Sequence, residues 1–97
     1  MNTKIYSLAE AENRVRQELP SWRIENGYLC REIKTANWLA SMAIANQISD
    51  LAEAADHHPD LLIAWGRVQI QLMTHDAGGL SDKDFSLATA IEGLRNF

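Results

Sequence analysis

The sequence is short of most features that would narrow its chemistry on their own. It has one cysteine, Cys30, in 97 residues, so no internal disulfide can form and no C-x-x-C pair exists. A lone thiol fits a reducing compartment, and Cys30 reads as a small strand residue that packs like a hydrophobe. Excess basic charge is missing too: 9 Lys and Arg against 13 Asp and Glu leave a net charge of −4. Without a basic stripe, direct binding to nucleic acid through its phosphates is not expected, nor is docking on an anionic membrane surface. The longest unbroken apolar run, Leu61 to Trp65, is far too short to span a bilayer. Met1 to Tyr6 carry no apolar signal core and are soon followed by Glu10 and Glu12, so a cytoplasmic protein is expected. The 2 prolines, Pro20 and Pro59, stand where elements should end. No linker, repeat or low-complexity tract breaks the chain, which reads as a single domain over residues 1–97 with a modest core.

What is present has clear local grammar. Ser7 and Glu10 have capping-box spacing ahead of a helix from Leu8 to Leu19, and Leu8, Ala11, Val15 and Leu19 form its apolar stripe. Asn26-Gly27 predicts a type I′ hairpin turn that sets Ile24 opposite Leu29 and Trp22 opposite Arg31. Trp22, Ile24, Leu29 and Ile33 then share a sheet face with Arg31, whose guanidinium needs an edge or a carboxylate there. A long helix is expected from Asn37 to Ala55, with Trp38, Met42, Ala45 and Ala52 along one side and Ile44, Ile48, Leu51 and Ala55 beside them. A second hairpin runs from Leu61 to Thr74 and turns near Trp65-Gly66-Arg67. Val68, Ile70, Leu72 and Thr74 face one way, and Gln69, Gln71, Met73 and His75 the other. Asp76 to Gly79 reads as a flexible loop. Ser81 and Asp84 again have cap spacing, with Phe85, Ala88, Ile91 and Leu94 as the stripe of a last helix. The order α-β-β-α-β-β-α predicts an α+β fold, a four-stranded antiparallel sheet with three helices packed on one face.

All 3 histidines, His57, His58 and His75, fall within residues 57–75. His57 and His58 stand at the break after the long helix, where Pro59 pushes His58 toward extended backbone. His75 stands at the end of a strand. These element ends can meet at one rim. Imidazole suits proton transfer near neutral pH, and neighbouring imidazoles discourage joint protonation, so one can serve as acid while another stays neutral as base. Zinc is the second reading of three histidines. Against it, His57 and His58 are adjacent and need not point the same way, and no H-x-H, H-x-x-x-H or H-E-x-x-H spacing occurs. Glu53, one turn before His57, is placed to hydrogen-bond it or simply to face water. Asp84 stabilises a helix start whatever else it does. Asp56 equally fits a solvated helix end, and Trp65 fits turn packing.

The spacing then becomes specific. An acid at Glu53, three residues, His57-His58-Pro59, five residues, Trp65, nine residues, His75, eight residues and Asp84 resemble the signature of pterin-4a-carbinolamine dehydratases. Thr74-His75 and Gly79-Leu80-Ser81 resemble the family as well, and the likeness continues more weakly through Trp22, Leu29 and Arg31. Ile33, Thr35, Ile44 and many alanines stand where the family often has phenylalanines, which bears on an oligomeric interface more than on the chemistry. Lys83 stands where arginine is common. The resemblance implies loss of water from 4a-hydroxytetrahydropterin to give quinonoid dihydropterin, recycling the cofactor of aromatic amino-acid hydroxylases. It implies a small pterin substrate, no metal or organic cofactor, and a homodimer or homotetramer. His57 and His75 would be the acid–base pair, and His58 would bind and orient the pterin. Asp84 and Glu53 would hold the imidazoles, Asp56 and Pro59 would support them, and Trp65 would shape the pocket. The alternative is a non-catalytic binding protein on the same scaffold, a transcriptional cofactor or an enzyme assembly chaperone.

Overall fold

The computed structural model describes residues 3–94. The elements follow the expected order: α1 (Leu8–Glu18), β1 (Arg23–Glu25), β2 (Tyr28–Lys34), α2 (Trp38–Ala55), β3 (Asp60–Ala64), β4 (Arg67–Leu72), a 3-10 turn (His75–Ala77) and α3 (Asp82–Glu92). The four strands form one antiparallel sheet in the order β1-β2-β4-β3, and the three helices cover one face of it.

Local chemistry explains the boundaries. The Ser7–Glu10 capping box opens α1, which satisfies two orphan donors reciprocally. Asn26 and Gly27 both have positive φ, 51° and 81°, as a type I′ turn requires, and Ile24 faces Leu29 in the ladder. Asn37 caps α2 through Ala40 N–H. The helix ends in the left-handed residue Asp56, with φ 49° and ψ 44°, a conformation that acids and amides tolerate better than most residues.

Strand alternation sorts the two faces of the sheet. Leu29 lies opposite Leu72, Arg31 opposite Ile70 and Ile33 opposite Val68. All of these except Arg31 are buried, and they join Ile44, Ile48, Phe85, Leu87 and Ile91 in the core. Gln69 and Gln71 lie opposite Glu32 and Cys30 on the other face. Cys30 is buried, and that burial pushes its thiol above its ordinary range, so it is a poor nucleophile at neutral pH.

Four expectations change. Leu8 starts the α1 stripe in sequence but is 64% exposed, and Trp38 is 47% exposed; each is the first residue of its helix. Trp22 precedes β1 and makes no ladder pair with Arg31. Instead both side chains converge on Glu92 of α3: Trp22 Nε1–H donates to Oε1 at 2.7 Å, and the Arg31 guanidinium pairs with the same oxygen at 2.7 Å. The carboxylate that Arg31 needs thus comes from the far end of the chain. The segment after β4 is not a simple loop, since His75–Ala77 form a 3-10 turn closed by left-handed Gly78.

Removing the Glu92 carboxylate leaves the buried indole N–H without its acceptor and deprives Arg31 of this ion pair. Glu92→Ala is expected to lower unfolding stability by about 1–3 kcal/mol, read from urea unfolding. Glu92→Gln, which keeps an acceptor oxygen, is expected to lose less. Equal losses in the two variants would show that the hydrogen bonds at Glu92 contribute nothing specific.

Candidate active site

The site forms where three elements end. The C-terminus of α2 delivers Asp56, His57 and His58. The end of β4 delivers Met73, Thr74 and the His75 turn, and the start of α3 delivers Lys83 and Asp84. Seven of these residues together with Asp76 line an open depression of about 190 Å3: Asp56, His57, His58, Met73, Thr74, His75, Asp76 and Lys83. All three histidines therefore face one depression.

Asp84 lies beneath it. Its side chain has 0% exposure, and Oδ1 meets His57 Nε2 at 2.6 Å. Oδ2 accepts from the Thr74 hydroxyl at 2.7 Å and from Ser81 N–H at 2.9 Å. The second of these contacts completes the Ser81–Asp84 capping box, so one carboxylate caps α3 and holds His57. His57 itself is mostly buried, with 11% of its side chain exposed, and its backbone N–H closes on Ala52 O at 3.1 Å.

His58 has a different partner and environment. Its Nε2 pairs with Glu53, and the two side chains are 56% and 73% exposed. Glu53 therefore holds His58, not His57 as the one-turn spacing predicts. The left-handed turn at Asp56 breaks the helical register, so the i to i+4 relation no longer fixes what Glu53 meets. His75 is exposed and stands edge-on to Tyr28, ring centroids 6.1 Å apart at 66°.

Trp65 is not brought to the histidines. It is 71% exposed and lines a separate groove with Glu32, Lys34, Thr35, Gly66 and Arg67. That groove is at the end of the sheet where Ser41, near the start of α2, donates to Ala64 O. The histidines are at the opposite end of the 18-residue helix. Pro59 follows His58, half-buried, and does not line the depression. Sequence reasoning missed Tyr28, Met73 and Thr74 as parts of the site. The alternation that put Met73 and His75 on one face was the available signal for Met73, and the Thr74-His75 pair, which resembles the family's segment, was the one for Thr74. Among the described residues, no group of three or more His, Cys, Asp or Glu side chains is arranged to hold a metal ion, and no helix is long and apolar enough to cross a membrane.

The start of α3 is held from outside by the N-terminal segment. Tyr6 N–H bonds Leu80 O at 2.9 Å. The Tyr6 hydroxyl donates to Asp82 Oδ1 at 2.5 Å, and Arg14 donates to both, at 2.6 and 2.9 Å. The Arg14 guanidinium also lies over the Phe85 ring, 4.7 Å from its centroid. The Tyr6 hydrogen bond, followed by Arg14, holds the Asp82 carboxyl below its ordinary range. The bond to Asp82, followed by burial, raises the Tyr6 phenol.

Two solved structures share this architecture. A Brucella melitensis protein described as a transcriptional coactivator/pterin dehydratase matches with a TM-score of 0.84 at 23% identity, covering 93% of this chain and 97% of that one. A pterin dehydratase-like protein described as a RuBisCO assembly factor in the alpha-carboxysome matches with a TM-score of 0.62 at 18% identity, covering 75% of this chain and 87% of that one. At these identities the likeness defines a class of fold, the pterin dehydratase-like α+β layer. The sequence comparisons go further. The family model described as pterin 4 alpha carbinolamine dehydratase matches residues 4–94. A Chloroflexus aurantiacus protein provisionally named pterin-4-alpha-carbinolamine dehydratase is 46% identical over 90% of this chain and 95% of its own. An Aquifex aeolicus protein with the same provisional name is 37% identical over 93% of this chain and 92% of its own. The chain belongs to the pterin 4 alpha carbinolamine dehydratase family, whose named activity is that of a hydro-lyase.

The Asp82 geometry generates a pH prediction. A carboxyl held below its ordinary value contributes stability that is complete above that value and is lost as pH falls through the folded-state one. Urea unfolding followed from neutral pH into the acid range is expected to show a steeper acid loss for the wild type than for Tyr6→Phe. Parallel acid limbs would rule out a contribution from this contact.

Proposed function

We propose that the protein dehydrates 4a-hydroxytetrahydropterin to quinonoid dihydropterin by histidine acid–base catalysis, with His57 and His75 as the catalytic pair. The reaction removes the proton on ring nitrogen N5, turns that electron pair into the N5–C4a double bond, breaks the C4a–O bond and releases the hydroxyl as water after protonation. It needs one group that takes a proton and one that gives a proton on a single small substrate, and both must reach it together.

The observation that carries this reading is the 2.6 Å contact between His57 and the buried Asp84 carboxylate. Asp84 Oδ2 is already occupied by two donors, and a carboxylate can only accept. Oδ1 therefore accepts from His57 Nε2–H, which leaves Nδ1 as the nitrogen for substrate. With Nε2–H engaged by the carboxylate, Nδ1 is the ring nitrogen with a free lone pair, which suits His57 to take the N5 proton. His75, exposed on its turn, gives a proton to the leaving hydroxyl and recovers one from solvent. His58, steadied by Glu53, and Lys83 bind and orient the pterin at the rim. Asp56 supports the histidines through the left-handed turn that ends α2, and Pro59 through its restriction of His58. Cytoplasmic location, a homodimer or homotetramer, and recycling of the hydroxylase cofactor complete the proposal.

A second reading is a binding protein on the same scaffold. Leu39, Leu62 and Trp65 are 77%, 48% and 71% exposed, and a partner that covered such side chains would turn them into a contact surface.

The test follows dehydration of chemically prepared 4a-hydroxytetrahydropterin. Wild type is expected to accelerate it, and His57→Ala and His75→Ala are each expected to lower kcat by about 10²-fold. Treatment with a chelator is expected to leave the rate unchanged. No acceleration by wild type sinks the enzyme and leaves the binding protein. Loss of activity to the chelator, restored by zinc, overturns metal-free catalysis.

A further inference from the structure

Thr74 stands between the two histidines assigned to proton transfer, and its side chain and backbone serve different ones. It is 4% exposed. Its carbonyl receives the N–H groups of Ala77 and Gly78, at 3.1 and 3.0 Å, and its N–H bonds Gly79 O at 3.0 Å. Those bonds form the turn that carries His75. Its hydroxyl donates to Asp84 Oδ2 at 2.7 Å and lies 2.7 Å from Ser81 Oγ.

Proton counting gives these contacts a direction. The Thr74 hydroxyl has one hydrogen, and the carboxylate can only accept, so that hydrogen points to Asp84. The contact with Ser81 then requires the Ser81 hydroxyl to donate to Thr74 Oγ1. The result is an ordered series from Ser81 to Thr74 to Asp84 Oδ2, with Oδ1 turned to His57. Ser81 and Asp84 are both fully buried, so water does not compete for these bonds.

We propose that Thr74 is a positioning residue whose hydroxyl holds the Asp84 carboxylate in the orientation that keeps His57 in its Nε2–H tautomer, presenting Nδ1 to substrate. The proposal rests on the acid–base reading of His57 for its catalytic consequence, but not for its structural one. Valine matches threonine in shape and removes the donor. Without that donor Oδ2 keeps only the Ser81 N–H, and the orientation of the carboxylate toward the imidazole is less tightly fixed.

The test uses nitrogen NMR of protein labelled at histidine, together with kcat and KM, for wild type, Thr74→Val and Thr74→Ser. Wild-type His57 is expected in the Nε2–H tautomer. In Thr74→Val the His57 ring nitrogens are expected to shift toward a tautomer mixture while those of His75 stay put, since the turn's backbone bonds remain. kcat is expected to fall about tenfold to a hundredfold, the usual consequence of losing a hydrogen bond to a charged group, with KM changed less than about twofold. Thr74→Ser is expected to restore both readouts. A general loosening of the site would move His57 and His75 alike and would not be rescued by serine; that outcome overturns the proposal. So does an unchanged His57 tautomer in Thr74→Val, or a wild-type His57 protonated on Nδ1. If Thr74→Val does not fold, Thr74→Ala, which also lacks the donor, takes its place in both readouts. If wild type does not accelerate dehydration, the catalytic reading fails, and the NMR comparison still decides the role of Thr74.

Discussion

An ionised carboxylate withdrawn from water must recover its lost hydration from protein donors, or it costs several kcal/mol. Asp84 is fully buried and recovers it from three places in the chain: the end of α2 through His57, the end of β4 through Thr74, and the start of α3 through Ser81. Each donor is therefore constrained by the same atom pair, and three element ends are drawn to one point. The capping box alone would need only the Ser81 contact. The other two contacts turn a helix cap into the joint on which the histidine end of the molecule is assembled.

The joint is braced from both sides. On the outside, Tyr6, Arg14 and Asp82 tie the N-terminal segment to the first turn of α3, and Gly79 is so close to this segment that an added Cβ would lie 2.8 Å from Ile5 Cγ2. At the far end of α3, Glu92 receives Trp22 and Arg31. The helix is thus fixed to the N-terminal segment at one end and to the first hairpin at the other, while Phe85, Ala88 and Ile91 bury its length in the core. A displacement of Asp84 relative to His57 would have to shift a helix held at both ends. That is how a small core can hold a hydrogen bond steady at a solvent-facing rim.

Features encoded over a few residues were legible in the sequence. The Ser7–Glu10 box, the Asn26-Gly27 turn, the alternation along β4 and the Ser81–Asp84 cap all follow from local rules, and all appear where those rules put them. What was lost depended on longer reach or on the exit from a helix. Glu53 went to His58 because the chain turns left-handed at Asp56, a change that helical spacing cannot express. Trp65 shares a sequence signature with the histidines, yet β3 carries it to the other end of the sheet, because a spacing along the chain is not a distance in space. His75 was placed at a strand end, but Gly78 and Gly79 let the chain fold back on Thr74 and lift His75 onto a turn. Glu92 as the partner of Arg31 had no local signal: the need for a carboxylate was readable, but which one was not.

The two carboxylate–histidine pairs at the end of α2 show how environment divides one chemistry into two tasks. Glu53–His58 and Asp84–His57 join the same groups. The first pair is over half exposed, where water screens the attraction, so Glu53 steadies His58 only loosely. The second has 0% exposure on the acid and 11% on the histidine, where screening is weak and every remaining lone pair must find a donor. An exposed pair can reorient as ligands come and go, which suits contact with a substrate's edge. A buried pair, locked by Thr74 and Ser81, keeps one ring nitrogen engaged and leaves the other as the reactive face, which suits a proton transfer that must occur at one atom. The burial of Asp84, more than the identity of the histidines, therefore separates the binding role assigned to His58 from the proton-transfer role assigned to His57.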